Sequence, residues 1–171
     1  ILRDSQTRIK AIALIHEQLY QSPGSATVNT YFYFQSLLRH LSQTYETFSR
    51  GIVIEQDIAD LKLSLDLAIP CGLIVNELVT NALKYAFPPE WRSPDNAPPT
   101  IRLALRPEGN CLHLEVADNG VGLPPEVAME TSPGLGLRLI KVLTQQIDGE
   151  LHTQYDKGTC VTITFTCDED T

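Results

Sequence analysis

Three polar side chains share one face of a helix that the sequence predicts over residues 67–87. Glu77, Asn81 and Lys84 are spaced by four and three residues, which brings side chains together on a helix. An amide oxygen is a hard ligand that suits Mg2+, and a lysine ammonium supplies a point charge for phosphate. The same pattern is typical of a solvated face held by polar contacts between neighbouring turns. This cluster alone therefore leaves a metal–phosphate site and a solvated face open.

A second cluster, Asp118-Asn119-Gly120-Val121-Gly122, directly follows a predicted strand. A carboxylate at a strand end can accept a hydrogen bond from an exocyclic amine such as that of adenine. The two glycines allow a tight turn and a close approach of the backbone to a ligand. A plain turn is the alternative, although no alternating strand follows closely enough for a two-residue hairpin.

Two further glycine motifs lie nearer the C-terminus. Gly134-Leu135-Gly136-Leu137 stands at the predicted start of a helix, where free backbone N–H groups can bind phosphate. The motif is not a GxGxxG fingerprint, because position 139 is Leu. Gly158-Thr159 lies between the last two predicted strands and would be a simple hairpin if taken alone.

The joint order of these motifs resembles the gyrase–chaperone–histidine kinase–MutL family of ATPases, and within it the histidine kinases. The resemblance covers roughly residues 50–167. Asn76–Ala86 is similar to the N box, residues 118–122 to the first glycine box, residues 134–137 to the second, and Gly158-Thr159 to the last glycine motif. The resemblance implies an ATP-binding catalytic domain that uses ATP and Mg2+.

The resemblance also implies a role for each matching residue. Asn81 would coordinate Mg2+, Lys84 would reach the phosphates and Tyr85 would lie along the nucleotide. Asp118 would bind the adenine amine with Thr159 close to it, and the second glycine box would cover the phosphates. The implied cofactor-binding set is Asn81, Lys84, Tyr85, Asp118, Gly120, Gly122, Gly134, Leu135, Gly136, Leu137 and Thr159.

Glu77 is a departure from many histidine kinases, which carry Asn at the matching place. In the hydrolysing members of the family a Glu there activates water. Glu77 and Asn81 are therefore the candidate catalytic residues. For Glu77 the resemblance leaves two roles open, an indirect metal contact and some capacity to hydrolyse ATP.

Periodicity and turn residues predict the elements that position these motifs. We expect an α+β two-layer sandwich, in which helices cover one face of a mixed, largely antiparallel sheet and a helical segment precedes it. A boundary is predicted between a hairpin helix at residues 1–25 and the ATP-binding domain at residues 26–171. Helices are predicted over residues 2–21, 31–47, 67–87 and 135–147, and strands over 52–55, 61–65, about 101–105, about 112–116, 150–155 and 160–166.

The first helix is expected to be the C-terminal half of a dimerisation and phosphoacceptor hairpin. Its predicted apolar face contains Ile9, Ile12, Ala13, His16 and Leu19. Because His16 lies on that face and no Arg/Lys-Asn-Asn segment follows it, we expect the acceptor histidine upstream of this chain, which begins without Met. The Ile-His-Glu-Gln-Leu-Tyr segment, the N box and the short lid at residues 123–133 resemble the HWE-related branch of histidine kinases.

Composition and charge indicate which binding partners and which cellular location the protein is expected to have. The formal net charge of −8 and a pI near 4.9 disfavour nucleic acid, because such a surface repels phosphodiesters. No uninterrupted apolar run approaches the ~18 residues of a membrane span, so a cytoplasmic protein is expected. The resemblance implies a response regulator receiver domain as partner and a homodimer in the full-length protein. Two alternatives stay open, an anti-sigma-type serine kinase and a nucleotide-binding module without kinase activity.

Overall fold

The structure is a computed structural model that describes residues 2–21, 26–93, 95–122, 135–155 and 157–167. Its elements follow the predicted order, with one additional short strand. A π-helical turn, Ala82–Ala86, directly continues the third helix. The elements are α1 (Leu2–Gln21), β1 (Thr27–Asn29), α2 (Thr30–Thr44), β2 (Val53–Ile58), β3 (Lys62–Ser64), α3 (Leu65–Asn81), β4 (Thr100–Glu108), β5 (Cys111–Asp118), α4 (Leu135–Gln146), β6 (Glu150–Gln154) and β7 (Thr159–Thr166).

Five strands form one mixed sheet in the order β2-β4-β5-β7-β6. β2 and β4 are parallel, and the other neighbours are antiparallel. Across the sheet, Leu114 of β5 faces Leu105 of β4 and Ile163 of β7, and all three are buried. Since side chains alternate along a strand, this row forms part of the apolar face against which the helices pack. The predicted α+β class with a mixed, largely antiparallel sheet is confirmed.

α3 is the central core helix. It packs against α1, α2 and α4, and residues such as Ile74, Val75 and Val79 are completely buried. The stretch Leu65–Ala86 is long and apolar enough to qualify as a membrane span by length and composition, but 67% of the 18-residue apolar window within it is buried inside the fold. We therefore interpret it as a core helix, which needs apolar residues around most of its circumference.

Several details of the predicted elements differ from the structure. The second helix ends at Thr44 and not at residue 47, and β2 extends to Ile58 and not to residue 55. α3 begins at Leu65 and not at residue 67, so that Pro70 stands in its second turn. The short strand β3 lies outside the main sheet and pairs with β1, which the sequence analysis did not predict. Asn29 caps the start of α2, since its side chain accepts a hydrogen bond of 3.0 Å from the Phe32 N–H.

The predicted apolar face of α1 is partly uncovered, and a different side of the helix packs against the domain. Ile9 is 67% exposed, and Ile12 and His16 are also exposed, whereas Ala11 and Ile15 are buried against the domain. Because α1 carries apolar residues on more than one face, periodicity alone did not show which face packs against the domain. The boundary between residues 25 and 26 stays a prediction.

Candidate functional site

Asp118 lies at the end of β5, where two backbone N–H groups hold its carboxylate. Its Oδ1 accepts a hydrogen bond of 2.9 Å from Gly120 N–H and one of 3.3 Å from Thr159 N–H. Burial raises the pKa of Asp118 above its ordinary value, while hydrogen bonds from Gly120 and Thr159 act in the opposite direction. The result is a half-buried, oriented carboxylate at the end of the central strand of the sheet.

Glycine is required at two places around this carboxylate because the backbones touch. A Cβ on Gly120 would lie 2.3 Å from the carbonyl oxygen of Ala86. A Cβ on Gly158, whose φ is +122°, would lie 1.9 Å from the carbonyl oxygen of Asp118. Val121 N–H also donates to Ala86 O at 2.9 Å. The Asp118 loop is thereby fixed both to the end of the α3 region and to the β6–β7 turn.

The predicted polar face of α3 continues into the π-helical turn. Asn81 is the last α-helical residue, and Lys84 and Tyr85 lie within the turn. Single π-helical turns inside helices occur frequently at functional sites. Tyr85 is 64% exposed, so that its ring is free to lie against a ligand. Asn81 makes no side-chain hydrogen bond to any described residue, and it is only partly buried.

Helix α1 supplies a partner for each charge on this face, and sequence reasoning missed both pairs. Arg8 binds Glu77 through two hydrogen bonds of 2.7 Å, from Nε to Oε1 and from Nη2 to Oε2. One turn earlier, Asp4 accepts a hydrogen bond from Lys84. These partners are 69 and 80 residues apart in the chain, so that no local spacing could have indicated them.

The ion pairs also change the acid–base properties of their members. The hydrogen bond to Glu77 raises the pKa of Arg8. The hydrogen bond from Lys84 lowers the pKa of the Asp4 carboxyl. Burial by itself would lower the pKa of Lys84, but its hydrogen bond and charge interaction with Asp4 raise it. The contacts therefore favour the charged forms of Asp4, Arg8 and Lys84.

The start of α4 lies against the polar face of α3. A Cβ on Gly136 would come within 2.8 Å of Glu77 Oε2 and 4.0 Å of Asn81 Nδ2. Leu135 is 70% exposed at the first position of the helix, and Leu137 is partly buried. Gly134 and the predicted lid at residues 123–133 lie outside the described residues.

The structure thus brings the predicted motifs together into one contiguous region. Gly120 joins the Asp118 loop to the π-helical turn, Gly158 and Thr159 contact Asp118, and Gly136 approaches Asn81. The side chain of Asn119, next to the carboxylate, binds the chain at the start of β4 instead. It accepts a hydrogen bond of 2.7 Å from Thr100 N–H and donates one of 2.9 Å to Pro98 O.

Two family models match the chain. The model described as "Histidine kinase-, DNA gyrase B-, and HSP90-like ATPase" matches residues 67–169. The model described as "Histidine kinase" matches residues 1–45. The first covers more than half of the chain and contains all the motifs described above.

Curated relatives agree with these matches. Sensor histidine kinase PdtaS of Mycobacterium tuberculosis is 30% identical over 152 residues, which are 88% of this chain and 29% of that protein. Blue-light-activated histidine kinase 2 of Erythrobacter litoralis is 25% identical over 162 residues, 91% of this chain and 44% of that protein. The chain therefore spans less than half the length of either relative.

A solved structure has the same fold over nearly the whole chain. The histidine kinase domain of the Erythrobacter litoralis EL346 blue-light activated histidine kinase superposes with a TM-score of 0.83 at 22% sequence identity. The match covers 95% of this chain and 74% of that domain.

Proposed function

We propose that this chain, which belongs to the family of histidine kinase-, DNA gyrase B- and HSP90-like ATPases, passes the γ-phosphoryl group of ATP to a histidine. It carries the ATP-binding catalytic domain of a two-component histidine kinase of the HWE-related branch. The observation that carries the proposal is the contact of the Asp118 loop, the end of α3 and the start of α4 within one region.

In the proposed site the nucleotide extends from the Asp118 loop to the start of α4. Asp118 would accept a hydrogen bond from the adenine amine, with Thr159 beside it, because its carboxylate is oriented and only partly solvated. Lys84 would contact the phosphates and Tyr85 the side of the nucleotide. Glycine N–H groups at the start of α4 would cover the phosphates, which favour a helix N-terminus.

The residues present fit a magnesium ion that is bound together with the phosphates. Asn81 offers an amide oxygen that no described residue occupies, and it stands between Glu77 and Lys84 on the polar face. No group of three His, Cys, Asp or Glu side chains gathers within the described residues. Mg2+ needs no such cage, because it is commonly held by one or two side chains, substrate phosphates and water. Bound there, it would neutralise the charge that develops on the phosphates.

Two alternatives are less well supported. An anti-sigma-type serine kinase would share the ATP-site motifs, but residues 1–45 match a histidine kinase model. A nucleotide-binding module without kinase activity would also fit the pocket. The curated relatives, however, carry histidine kinase names over 88–91% of this chain.

We propose an acceptor histidine outside these residues, on the hairpin helix that would pair with α1. His16 is exposed, so burial does not prevent it from accepting a phosphoryl group. The experiment must therefore include this residue. The exposed Ile9 and Ile12 would pack in the hairpin or in a homodimer. A response regulator receiver domain would receive the phosphoryl group in the cytoplasm, where ATP is available.

The test is phosphorylation of the full-length protein with ATP labelled at the γ-phosphate. Label that is lost in acid and stable in alkali identifies phosphohistidine and excludes phosphoserine. A His16→Gln variant should keep the label, and loss of label in that variant would move the acceptor to His16. Calorimetry of the 171-residue chain should show ATP binding that weakens when Mg2+ is chelated. A chain that is folded but binds no ATP would overturn the proposal.

A further inference from the structure

Glu77 is a buried carboxylate whose two oxygens are both occupied. Its side chain is only 6% exposed, and Arg8 donates to each oxygen at 2.7 Å. Asn76 Nδ2 adds a third hydrogen bond, of 3.1 Å, to Oε1. A guanidinium that binds both oxygens in parallel forms a strong, geometrically specific pair, because the bonds are charge-assisted. Glu77 is therefore held by a residue of α1, outside the helix to which it belongs.

The position of Glu77 gives this pairing a chemical consequence. Glu77 lies one turn before Asn81, and its Oε2 is the atom that a Cβ on Gly136 would meet. The proposed function places the γ-phosphate between Asn81 and the start of α4. A free carboxylate at that place could act as general base for a water molecule. With both oxygens bonded to Arg8, neither faces a water molecule that could attack the phosphate.

We infer that Arg8 is a positioning residue that suppresses hydrolysis of ATP by holding Glu77 away from water. The inference rests on the proposed function and concerns the competition between water and a protein histidine for the same phosphoryl group. Through Arg8, the position of α1 decides whether water can compete. A domain that hydrolysed its ATP before the acceptor arrived would lose the phosphoryl group to solvent.

The suppressed reaction is ordinary hydrolysis. The oxygen of a water molecule would form a bond to the γ-phosphorus, and the bond between that phosphorus and the β–γ bridging oxygen would break. ADP would leave with the electron pair of the broken bond, and inorganic phosphate would form. Glu77 would take the proton of the attacking water and return it to solvent. With Arg8 in place, the proton acceptor of this step is blocked.

A second contact connects the same helix to the same face. Asp4 stands one turn before Arg8 on α1 and accepts a hydrogen bond from Lys84, two turns after Glu77 on the polar face. Two pairs of opposite sign, each spaced for one face of a helix, fix the rotation and register of α1 on α3. A displacement of α1 would release Glu77 and Lys84 together.

The test compares ATP hydrolysis by the 171-residue chain and by its Arg8→Gln variant, measured as ADP release with Mg-ATP. We expect kcat to rise about tenfold or more, since a positioned general base contributes about 100-fold or more. The Kd for ATP should change less than about threefold, because Arg8 is not placed on the nucleotide. In the double variant Arg8→Gln, Glu77→Gln the gain should vanish, because no carboxylate remains to be freed.

The matched control is Lys10→Gln. Lys10 lies two residues along the same helix, and its ion pair with Glu17 is exposed, at 2.9 Å. This variant removes the same charge from α1 without touching the site, so its hydrolysis should equal that of the unchanged chain. Equal hydrolysis by Arg8→Gln and Lys10→Gln, with ATP bound by both, would overturn the inference.

The two proposals fail in distinguishable ways. Absence of ATP binding in the unchanged, folded chain would remove the proposed function and the inference with it. Normal ATP binding with no gain of hydrolysis would remove the inference alone. If Arg8→Gln does not fold, Arg8→Lys replaces it, because a lysine keeps the charge but cannot bind both oxygens. That variant should show a smaller gain, and no gain would count against the inference.

Discussion

The two ends of the proposed nucleotide site are built in different ways. At the Asp118 end, backbone N–H groups hold the carboxylate, and the glycines at 120 and 158 bring neighbouring backbones into direct contact. At the Glu77 end, side chains of α1 hold the charges of α3 through ion pairs. The first end depends on the sheet itself, whereas the second depends on where another helix lies.

This difference indicates which end can respond to the rest of a kinase. Contacts between backbones leave little room for change, because the surrounding structure is packed to high density. Ion pairs at the end of long side chains can break when a helix moves by a few ångströms. We therefore expect a movement of α1 to leave the binding of adenine unchanged. The same movement should change the contacts that Glu77 and Lys84 make near the phosphates.

The largest expected effect is at the phosphate end, in an Asn81→Ala variant. If Asn81 ligates the metal, turnover of Mg-ATP by the full-length protein should fall about 100-fold or more, as for other charge-stabilising groups. The fold should persist, since Asn81 makes no side-chain hydrogen bond to a described residue. Asn110→Ala, in the exposed β4–β5 turn, is the control. Turnover equal to that of the control would show that the metal assignment is wrong.

The next effect concerns the backbone contacts of the adenine end. Gly158→Ala should lower the free energy of unfolding by about 3 kcal/mol, through backbone strain and the overlap with Asp118 O. Gly109 also has a positive φ, of +58°, but nothing lies within 4 Å of its Cβ position. Gly109→Ala should therefore cost only about 1 kcal/mol of strain. If Gly158→Ala and Gly109→Ala have similar midpoints of thermal unfolding, the contact between Gly158 and Asp118 is not tight.

A smaller effect is expected in Asp118→Asn. Loss of the carboxylate should weaken ATP binding about tenfold, with Asp57→Asn on the exposed edge of the sheet as control. Without nucleotide the variant should be more stable at neutral pH. Burial raises the folded pKa of Asp118 above 3.8, so that its contribution is favourable below pH 3.8 and is lost as pH rises through the folded value. An unchanged calorimetric Kd would remove Asp118 from the adenine site.

The smallest effect is expected in Asp4→Asn. Without the charge of Asp4, Lys84 should attract the phosphates more strongly, so the variant should bind ATP about two to three times more tightly at low salt. Added salt should reduce this difference in affinity. Stability should fall by less than about 1 kcal/mol, as for most partly exposed ion pairs. Glu17→Gln removes an exposed acid from the same helix and serves as the control. Equal affinities in the two variants would show that Asp4 does not compete with phosphate for Lys84.

The sequence predicted the elements well where a motif and its periodicity lie in one stretch. The predicted helix 135–147 and the strands 150–155 and 160–166 differ from α4, β6 and β7 by one residue at an end. The joint order of the motifs also predicted the family. These features depend on residues close together in the chain.

Features that depend on distant residues could not be predicted. The pairs Arg8–Glu77 and Asp4–Lys84 join segments 69 and 80 residues apart, and no spacing rule connects them. The side of α1 that packs against the domain could not be identified from periodicity, because apolar residues occur on more than one of its sides. Where a helix is apolar on several sides, only the packing decides which side is buried.

The parallel pairing of β2 with β4 has a consequence for how the domain folds. Ile54 of β2 lies beside Ile101 of β4, and the intervening chain contains all of α3 and the π-helical turn. Closing so long a segment costs conformational entropy before the contacts between β2 and β4 can form. Such pairings are therefore slow to form. Folding kinetics should therefore show β2 joining the sheet late.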